Sequence, residues 1–374
     1  MSKIDDLIKE LCPDGAEFKK LGAICKIETG KLNANASCED GKYPFFTTAK
    51  EISRIDTFRW DAEALLIAGN ANVGDVKYFK GKFEAYQRTY VLTDFSNLID
   101  IRFLFFCLSN NLKQYLASRK NDAAMTYIVL GTLQNFPIPV PPLEVQKEIV
   151  RVLDSFTELE AELEAELEAR KKQYAYYRNT LLTFEDDRNI TWAELGEVAK
   201  YEQPSRYIVR SSDYNDSFSI PVLTAGKTFI LGYTDESSGV YNASTRPVII
   251  FDDFTTANKW VDFDFKVKSS AMKIITSVDE GTALLKYIYH WLNTLPSGLV
   301  EGDHKRQWIS SWSKKKIPIP PLEKQKQIVS ILDKFEELTN DISIGLPAEI
   351  EARRKQYEYY RNKLLTFKEL ECSK

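Results

Sequence analysis

A chain that writes one long phrase twice must build one structure twice. "EARKKQYAYYRNTLLTF" (Glu168–Phe184) and "EARRKQYEYYRNKLLTF" (Glu351–Phe367) agree at 14 of 17 positions across an offset of 183 residues, where average composition gives roughly one chance identity. Upstream, "IPVPPLEVQKEIVRVLDSFTEL" (Ile138–Leu159) and "IPIPPLEKQKQIVSILDKFEEL" (Ile317–Leu338) agree at 15 of 22 positions with an offset of 179. The second copy therefore carries a four-residue insertion. Fainter echoes open each half: "FKKLGAICK" (Phe18–Lys26) against "WAELGEVAK" (Trp192–Lys200), and "YPFFTTAK" (Tyr43–Lys50) against "IPVLTAGK" (Ile220–Lys227). A period near 180 residues is too long for a solenoid and fits a duplicated domain with a connector. The boundaries that follow are residues 1–137 for a first globe, 138–184 for a first connector, 185–316 for a second globe and 317–374 for a second connector.

The connectors read as long helices. Steps of four and three from Ile149 visit Leu153, Phe156, Glu160, Leu163, Leu167, Arg170, Tyr174, Tyr177, Leu181 and Phe184, and nine of these eleven positions are apolar or aromatic. That is a sustained heptad-like seam, with the Glu-rich "ELEAELEAELEA" around it facing solvent. The same walk in the second copy runs from Ile328 to Leu346 and resumes at Ile350, one four-residue step too many, which is a stutter. Gly345 and Pro347 sit at this point, so a kink or short break is expected there. A proline gate, "PVPPLE" or "PIPPLE", precedes each helix and holds the chain extended until the seam begins. From Ile149 to Phe184 a helix spans about 52 Å. A strut of that length needs a partner for its seam, and the other copy is the nearest candidate; the expected arrangement is an antiparallel coiled coil with a pseudo-twofold relation between the halves.

The globes are α/β. "ALLIAGN", "DVKYFKGKF" and "RTYVLTDF" in the first, and "RPVIIFDDF", "KWVDFDFKVK" and "MKIITS" in the second, read as strands rich in β-branched and aromatic residues. A helix follows in each, "DIRFLFFCLSNNLKQYLAS" (Asp100–Ser118) and "TALLKYIYHWLNTL" (Thr282–Leu295). Element order survives where identity is lost: one scaffold carries two differently lettered faces.

Chemistry that would make an enzyme is hard to find. The chain has no Gly-x-Gly and no Walker-type Gly-x-x-x-x-Gly-Lys-Ser/Thr, so neither a dinucleotide fingerprint nor a phosphate loop is present. Only His290 and His304 occur; the first sits in an aromatic helix and reads as packing, the second in the polar "EGDHKRQW". Neither has a companion at metal-ligand spacing. Asp252 and Asp253 could hold Mg²⁺ for a nuclease, but adjacent aspartates ending a strand read as a solvated turn. The five cysteines are scattered without a Cys-x-x-Cys pair, which fits reduced thiols in a cytoplasm. There is no signal-peptide pattern and no apolar run long enough for a membrane span. Net charge is −4, and no segment is a basic tail: 18 basic against 17 acidic residues in 1–137, and 16 against 18 in 185–316. A protein gripping DNA alone by neutralising many phosphates would be basic, so either DNA is not bound or partners supply much of the grip.

The two-globe, two-strut plan, with the "Pro-Pro-Leu-Glu-x-Gln-Lys-x-Ile-Val" pair at Pro141–Val150 and Pro320–Val329, resembles the specificity subunits of type I restriction-modification systems over essentially the whole chain. "FDDFTTANKWVDFDFKVKSSAM" (Phe251–Met272) also resembles a recurrent target-recognition domain of that family. The resemblance implies an α+β chain of two target-recognition domains joined by two spacer helices, a non-enzymatic reader of a split, asymmetric double-stranded DNA site. It further implies two methyltransferase subunits docked on the struts, with S-adenosylmethionine bound in those partners and no cofactor in this chain, and up to two motor-nuclease subunits joining for cleavage. No membrane is involved. The "LEAE"-like tetrapeptides would act as a ruler, each adding about 6 Å; the second strut has "TNDISIGLPAEIEA" instead.

Direct major-groove readout uses Arg, Lys, Asn and Gln on base edges, with Ser and Thr helping. Candidates for DNA contact in the first globe are Lys31, Lys50, Asn70, Asn72, Gln87 and Arg88. In the second they are Gln203, Arg206, Lys227, Thr255, Thr256, Asn258, Lys259, Lys305, Arg306 and Gln307. Tyr174, Tyr177 and Arg178, with Tyr357, Tyr360 and Arg361, are candidates for helix packing or partner docking. Two other classes stay open at this point: a self-sufficient DNA-modifying enzyme, and a structural coiled-coil adaptor.

Overall fold

The computed structural model describes residues 2–119, 127–184, 190–225, 228–296, 306–340 and 344–370. Contacts divide the chain into two units, Met1–Leu163 with Ile350–Lys374, and Glu164–Glu349.

The first unit begins with a helix the repeat did not foretell, α1 (Ser2–Leu11), which buries Ile4. Then come β1 (Glu17–Lys20), α2 (Leu21–Ile24), β2 (Lys26–Thr29), β3 (Tyr43–Phe46), β4 (Ser53–Ile55), β5 (Trp60–Ala68), β6 (Val76–Ala85), β7 (Thr89–Thr93), α3 (Ile101–Ser118), α4 (Leu130–Gln134) and β8 (Pro137–Val140). The main sheet has the order β2-β7-β5-β6-β3-β4. Strand alternation sorts β5 into two faces. Leu65 and Ile67 join the core with Phe103, Leu104, Cys107 and Leu108 of α3, while Ala64 and Leu66 pack with Phe46, Phe83 and Val91 on the other side. Asp100 caps α3 by accepting from the backbone N–H of Arg102 and Phe103.

The long helix α5 (Leu143–Leu182) starts directly after Pro141-Pro142 and runs 40 residues, about 60 Å at the usual rise. Its first turns belong to the globe's core, through Val145, Ile149 and Leu153. The seam therefore serves two masters: its start packs on its own globe, and from Leu153 onward it also meets the other copy. In this unit Phe156 lies 6.1 Å from Tyr357 and 5.7 Å from Tyr360, centroid to centroid. Glu160 pairs with Arg354 at 2.6 Å and Leu153 shares a core with Leu364. Position rises in one helix as it falls in the other, so the pairing is antiparallel. The chain's last described residues close the unit: Ala16 N–H donates to Lys368 O (2.9 Å) and Leu370 N–H to Ala16 O (3.1 Å).

The second unit repeats the plan with β9 (Thr191–Glu194), α6 (Leu195–Val198), β10 (Ala199–Glu202), β11 (Ile220–Leu223), β12 (Ile230–Thr234), β13 (Val248–Asp252), β14 (Asn258–Val261), β15 (Lys266–Val267), β16 (Met272–Ser277), α7 (Leu285–Leu292), α8 (Gln307–Ser310), β17 (Lys316–Ile319), α9 (Leu322–Asn340) and α10 (Leu346–Leu364). Its four-stranded sheet, β10-β16-β13-β14, matches β2-β7-β5-β6 strand for strand. The faint echoes are real elements: β1 pairs β8 as β9 pairs β17, and β3 pairs parallel to the end of β6 as β11 pairs parallel to β15. "KWVDFDFKVK", expected as one strand, is instead β14 and β15, broken between Asp262 and Phe265. The break sends β15 into a separate sheet, β12-β11-β15, whereas unbroken β6 carries β3 and β4 in one sheet.

The helix contact also repeats with its copies exchanged. Phe335, the counterpart of Phe156, stacks on Tyr174 (6.3 Å) and Tyr177 (5.5 Å), the counterparts of Tyr357 and Tyr360. The stutter behaves as expected: Ile344 and Gly345 are non-helical, and α10 restarts with Pro347 in its first turn, where a missing N–H costs nothing. Among the described residues, no helix is long and apolar enough to cross a membrane.

Two polar devices fasten each globe to its helix. Gln146 Oε1 accepts from Asp100 N–H (2.8 Å), and its Nε2 donates to Leu98 O (2.9 Å) and Pro141 O (2.7 Å). Gln325 makes the same three bonds, with Leu284 N–H, Thr282 O and Pro320 O, each at 2.9 Å. Both side chains are fully buried. Beside them, Arg102 pairs with Asp154 as Lys286 pairs with Asp333 and Glu336.

Cys12, Cys25, Cys107 and Cys38 are free thiols, and only Cys38 of these is exposed. Burial pushes the Cys25 thiol up to about 12 and raises Cys107 as well, which withholds the reactive thiolate. A maleimide footprint of the native protein is expected to mark Cys38 within minutes and to leave Cys25 and Cys107 unmarked until denaturant is added; fast native labelling of Cys107 would contradict this core.

Candidate nucleic-acid interface

In the first globe, loops from four strand ends are stapled together at one end of the sheet. Gly30 N–H donates to Thr89 O (3.4 Å), Gln87 N–H to Leu32 O (2.9 Å), Tyr86 N–H to Phe46 O (2.9 Å), and Gly69 N–H to Arg88 O (2.8 Å). Glycine is required at position 30, since a Cβ there would lie 1.8 Å from the Ala85 carbonyl oxygen. This end gathers all six first-globe candidates. Lys31, Lys50, Gln87 and Arg88 are exposed, and Asn70 and Asn72 are half-buried. Asn72 Nδ2 donates to Thr48 O (2.7 Å) and Lys77 Nζ to Ala49 O (2.6 Å), so both shape the loop that presents Lys50. Gln87 donates to Asn33 Oδ1 (2.8 Å), and Arg88 lies over the Tyr127 ring at 5.9 Å. Lys77 and Tyr127 carried no sequence signal; only the fold brings them in.

The second globe gathers its candidates at the equivalent end. Gln203 follows β10, Arg206 lies in the 3-10 turn Pro204–Tyr207, and Thr255, Thr256, Asn258 and Lys259 lie on the β13–β14 hairpin. Arg306 and Gln307 join them because Gln307 N–H donates to Asp253 O (2.8 Å) and Trp308 N–H to Asp253 Oδ1 (2.9 Å). Arg206, Lys259 and Arg306 are exposed; Gln203, Thr255, Asn258 and Gln307 are half-buried. Thr256 is 3% exposed with φ of 63°, so it closes the hairpin and does not line the surface. Lys227, Lys305 and His304 lie outside the described residues.

The aspartate pair is not the solvated turn that was expected. Asp252 accepts from Phe254 N–H (2.9 Å) and from Thr255 Oγ1 (2.6 Å), knotting the hairpin. Asp253 is 1% exposed and pairs at 3.3 Å with Lys273, which is 0% exposed. A carboxylate committed to a buried ammonium is not available to a metal. His290 is buried as expected, yet in a polar network: its Nε2 lies 2.7 Å from Asp333 Oδ1 and its Nδ1 3.5 Å from the Tyr174 hydroxyl. His290, Asp333 and Glu336 could together reach one metal ion. Lys286 Nζ already sits 3.5 and 3.3 Å from the two carboxylates, so the trio is an ion-pair network with its cation in place.

Tyr174, Tyr177, Tyr357 and Tyr360 make the stacking contacts given above. Arg178 and Arg361 each lie over a tyrosine of their own helix, Tyr174 at 5.5 Å and Tyr357 at 5.3 Å. Burial pushes the Tyr174 hydroxyl up to about 12, keeping it neutral.

Two equivalent sheet ends thus each bring basic and amide side chains together on loops, with different residues in the two globes. The type I restriction modification DNA specificity domain matches this chain twice, at residues 13–169 and 189–352. The chain belongs to that family: a DNA-sequence-reading, non-catalytic subunit of a restriction-modification complex. It is 62% identical over 191 residues to the EcoR124I/EcoR124II type I restriction enzyme specificity subunit of Escherichia coli, a match spanning 49% of this chain and 46% of that protein. It is 34% identical over 348 residues to the putative type I restriction enzyme specificity subunit S.HindORF215P of Haemophilus influenzae, spanning 87% and 89%. Its fold is that of the type I restriction-modification S subunit from M. genitalium, with TM-score 0.61 at 15% identity over 93% of this chain and 96% of that one. A chain from a study of type I complex assembly and conformational transition gives TM-score 0.55 at 16% identity, over 94% and 98%.

Proposed function

We propose that this chain reads a two-part, asymmetric site on double-stranded DNA, the first globe one half and the second globe the other, and holds two methyltransferase subunits, with restriction subunits joining for cleavage. The observation that carries this is a repeated four-strand order with unlike letters: β10-β16-β13-β14 matches β2-β7-β5-β6, while the first globe carries Asn70-Ala71-Asn72 where the second carries Thr255-Thr256-Ala257-Asn258. Among the described residues each end exposes three basic candidates, Lys31, Lys50 and Arg88 or Arg206, Lys259 and Arg306. Three phosphate contacts per half give weak, salt-sensitive binding, so the methyltransferases, which would carry S-adenosylmethionine, supply the rest of the grip. The complex works in the cytoplasm, where its cysteines stay reduced.

Two readers on one chain meet the duplex at a fixed interval, because DNA rotates as it advances. Replacing residues 190–316 with the equivalent segment of another family member is expected to change one half of the methylated motif and leave the other half and the spacing intact. Sequencing that detects methylated adenine across a test genome gives the answer; a change in both halves, or in neither, contradicts the assignment.

A further inference from the structure

We propose that Arg88 reads a guanine in the half-site met by the first globe, and that Tyr127 is the positioning residue that aims it. This rests on the reading above and adds to it one base, the atoms of that base and the side chain that finds them.

Gln87 and Arg88 form the tip of the turn between β6 and β7, which Thr89 N–H closes by donating to Tyr86 O (2.8 Å). The backbone of that turn is held on three sides. Gly69 N–H, at the end of β5, donates to Arg88 O (2.8 Å); Gln87 N–H donates to Leu32 O (2.9 Å) in the loop of Lys31; Tyr86 N–H donates to Phe46 O (2.9 Å), where the loop of Lys50 begins. Arg88 thus stands amid the loops that carry the two exposed lysines. Phosphates line the rims of a groove and base edges its floor, so the central cation is the one placed for the floor.

Its side chain is uncommitted. Other arginines of this globe are spent on the fold, Arg54 on Gly41 O, Arg59 on Glu28 and Arg102 on Asp154. Among the described residues the Arg88 guanidinium has no hydrogen bond and no ion pair; it has a ring, with Cζ 5.9 Å from the centroid of Tyr127, inside the ~6 Å reach of cation–π attraction. That ring is 50% exposed, yet its backbone is fixed. Tyr127 bridges to Asn70, and Ile128 gives its N–H to Gly69 O (2.7 Å) while its own O accepts from the Tyr90 hydroxyl (2.8 Å). Gly69 therefore ties Arg88 and Ile128 through a single residue. A Cβ there would lie 2.5 Å from Arg88 O, so this short link requires glycine.

The second globe makes the same link with other letters. Asp253 N–H donates to Ala271 O (3.2 Å) as Gly69 does to Arg88, and Gln307 N–H donates to Asp253 O (2.8 Å) as Ile128 does to Gly69. Ala271 holds the place of Arg88, and Arg306 the place of Tyr127. Each globe brings one arginine to the link, from opposite sides of it. The backbone repeats while the letters change, as positions that read different bases would.

Guanine follows from the chemistry of the fork. It offers two acceptors in the major groove, O6 and N7, which match two guanidinium donors at once. Adenine puts a donor at the place of O6, so one arm of the fork would face a donor. A ring beside the guanidinium fixes its plane, which a planar fork needs and a point charge does not.

The test uses the full chain with its methyltransferase subunits, on the half-site that exchange of residues 190–316 leaves unaltered. Wild type is expected to require a guanine there, and 7-deazaguanine, which lacks N7, should weaken binding about tenfold, within the range of one bidentate base contact. Arg88→Ala should bind both bases equally and accept other bases at that one position of the methylated motif. Tyr127→Ala should lose selectivity several-fold at the same position, and Tyr127→Phe, which keeps the ring, should retain it. Unchanged thermal melting shows that the variants fold. A half-site without guanine, or 7-deazaguanine bound as tightly as guanine, overturns the assignment and leaves the split-site reading standing. Arg88→Ala that weakens all sequences alike and lowers the salt slope by about one would make Arg88 a phosphate contact, which also overturns it. Selectivity untouched by Tyr127→Ala overturns the aiming role. A wild-type complex that prefers no sequence overturns both the inference and the reading beneath it.

Discussion

Lys273→Met is expected to destabilise the second unit by about 3–5 kcal/mol, the usual cost of stranding one charge of a buried pair. Lys273 lies under the Tyr201 ring at 4.9 Å, with Asp253 at 3.3 Å as its ion-pair partner. Without the ammonium, the Asp253 carboxylate keeps only the Trp308 N–H inside a closed core. Asp253→Leu should cost a similar amount by leaving the cation unopposed. The double variant should recover most of either loss, since an apolar pair of similar volume avoids the desolvation of both ions. Five of the six tryptophans, Trp192, Trp260, Trp291, Trp308 and Trp312, lie in the second unit, so urea unfolding followed by tryptophan fluorescence reports it directly. A single-variant loss under about 1 kcal/mol, the range of an exposed pair, would show that water reaches this site. The same pair anchors the hairpin that presents Asn258 and Lys259, so selectivity should blur in one half-site only.

Gln325→Leu is expected to cost about 2–4 kcal/mol. The replacement fills the space, but Leu284 N–H, Thr282 O and Pro320 O lose their common partner in a buried setting, and orphaned backbone groups cost more than the bonds themselves contribute. Gln146→Leu should do the same to the first unit, through Asp100 N–H, Leu98 O and Pro141 O. Asp100 also caps α3, so the first-unit variant should loosen that helix start, visible as faster amide exchange at Phe103 and Leu104. Equal stability of wild type and both variants would mean that the invariant glutamine of the two copies has another task.

These examples show what the letters alone could and could not yield. The seam was legible because period and identity are local properties: Phe156, Tyr177, Phe335 and Tyr360 announce a helix and a partner before any coordinate is seen. The break at Gly345-Pro347 was legible for the same reason. Gln146 and Gln325 stood in plain view within the repeated motif, yet two of the three backbone groups each one ties lie more than 40 residues away along the chain, and no local rule predicts that. Lys273 gave no sign of its burial, since a lysine in a strand is ordinarily solvent-facing; its burial depends on Asp253 arriving from the end of a neighbouring strand. The same limit explains "KWVDFDFKVK", whose strand-like composition cannot report that β15 leaves for a second sheet. At the interface, basic and amide residues could be chosen by type and loop context, and the fold brings the described ones to equivalent sheet ends, but Thr256 turned inward because the hairpin needs it there.

The first unit is discontinuous, sealed by Tyr357, Leu364, Leu365 and the backbone bonds of Lys368 and Leu370 to Ala16, whereas Glu164–Glu349 is a single run of chain. On the ribosome the order of completion is thus reversed. The domain made second can finish first, and the domain made first waits, with its apolar groove uncovered, until the final helix emerges from the exit tunnel. Over that interval the nascent protein depends on a clasp not yet translated.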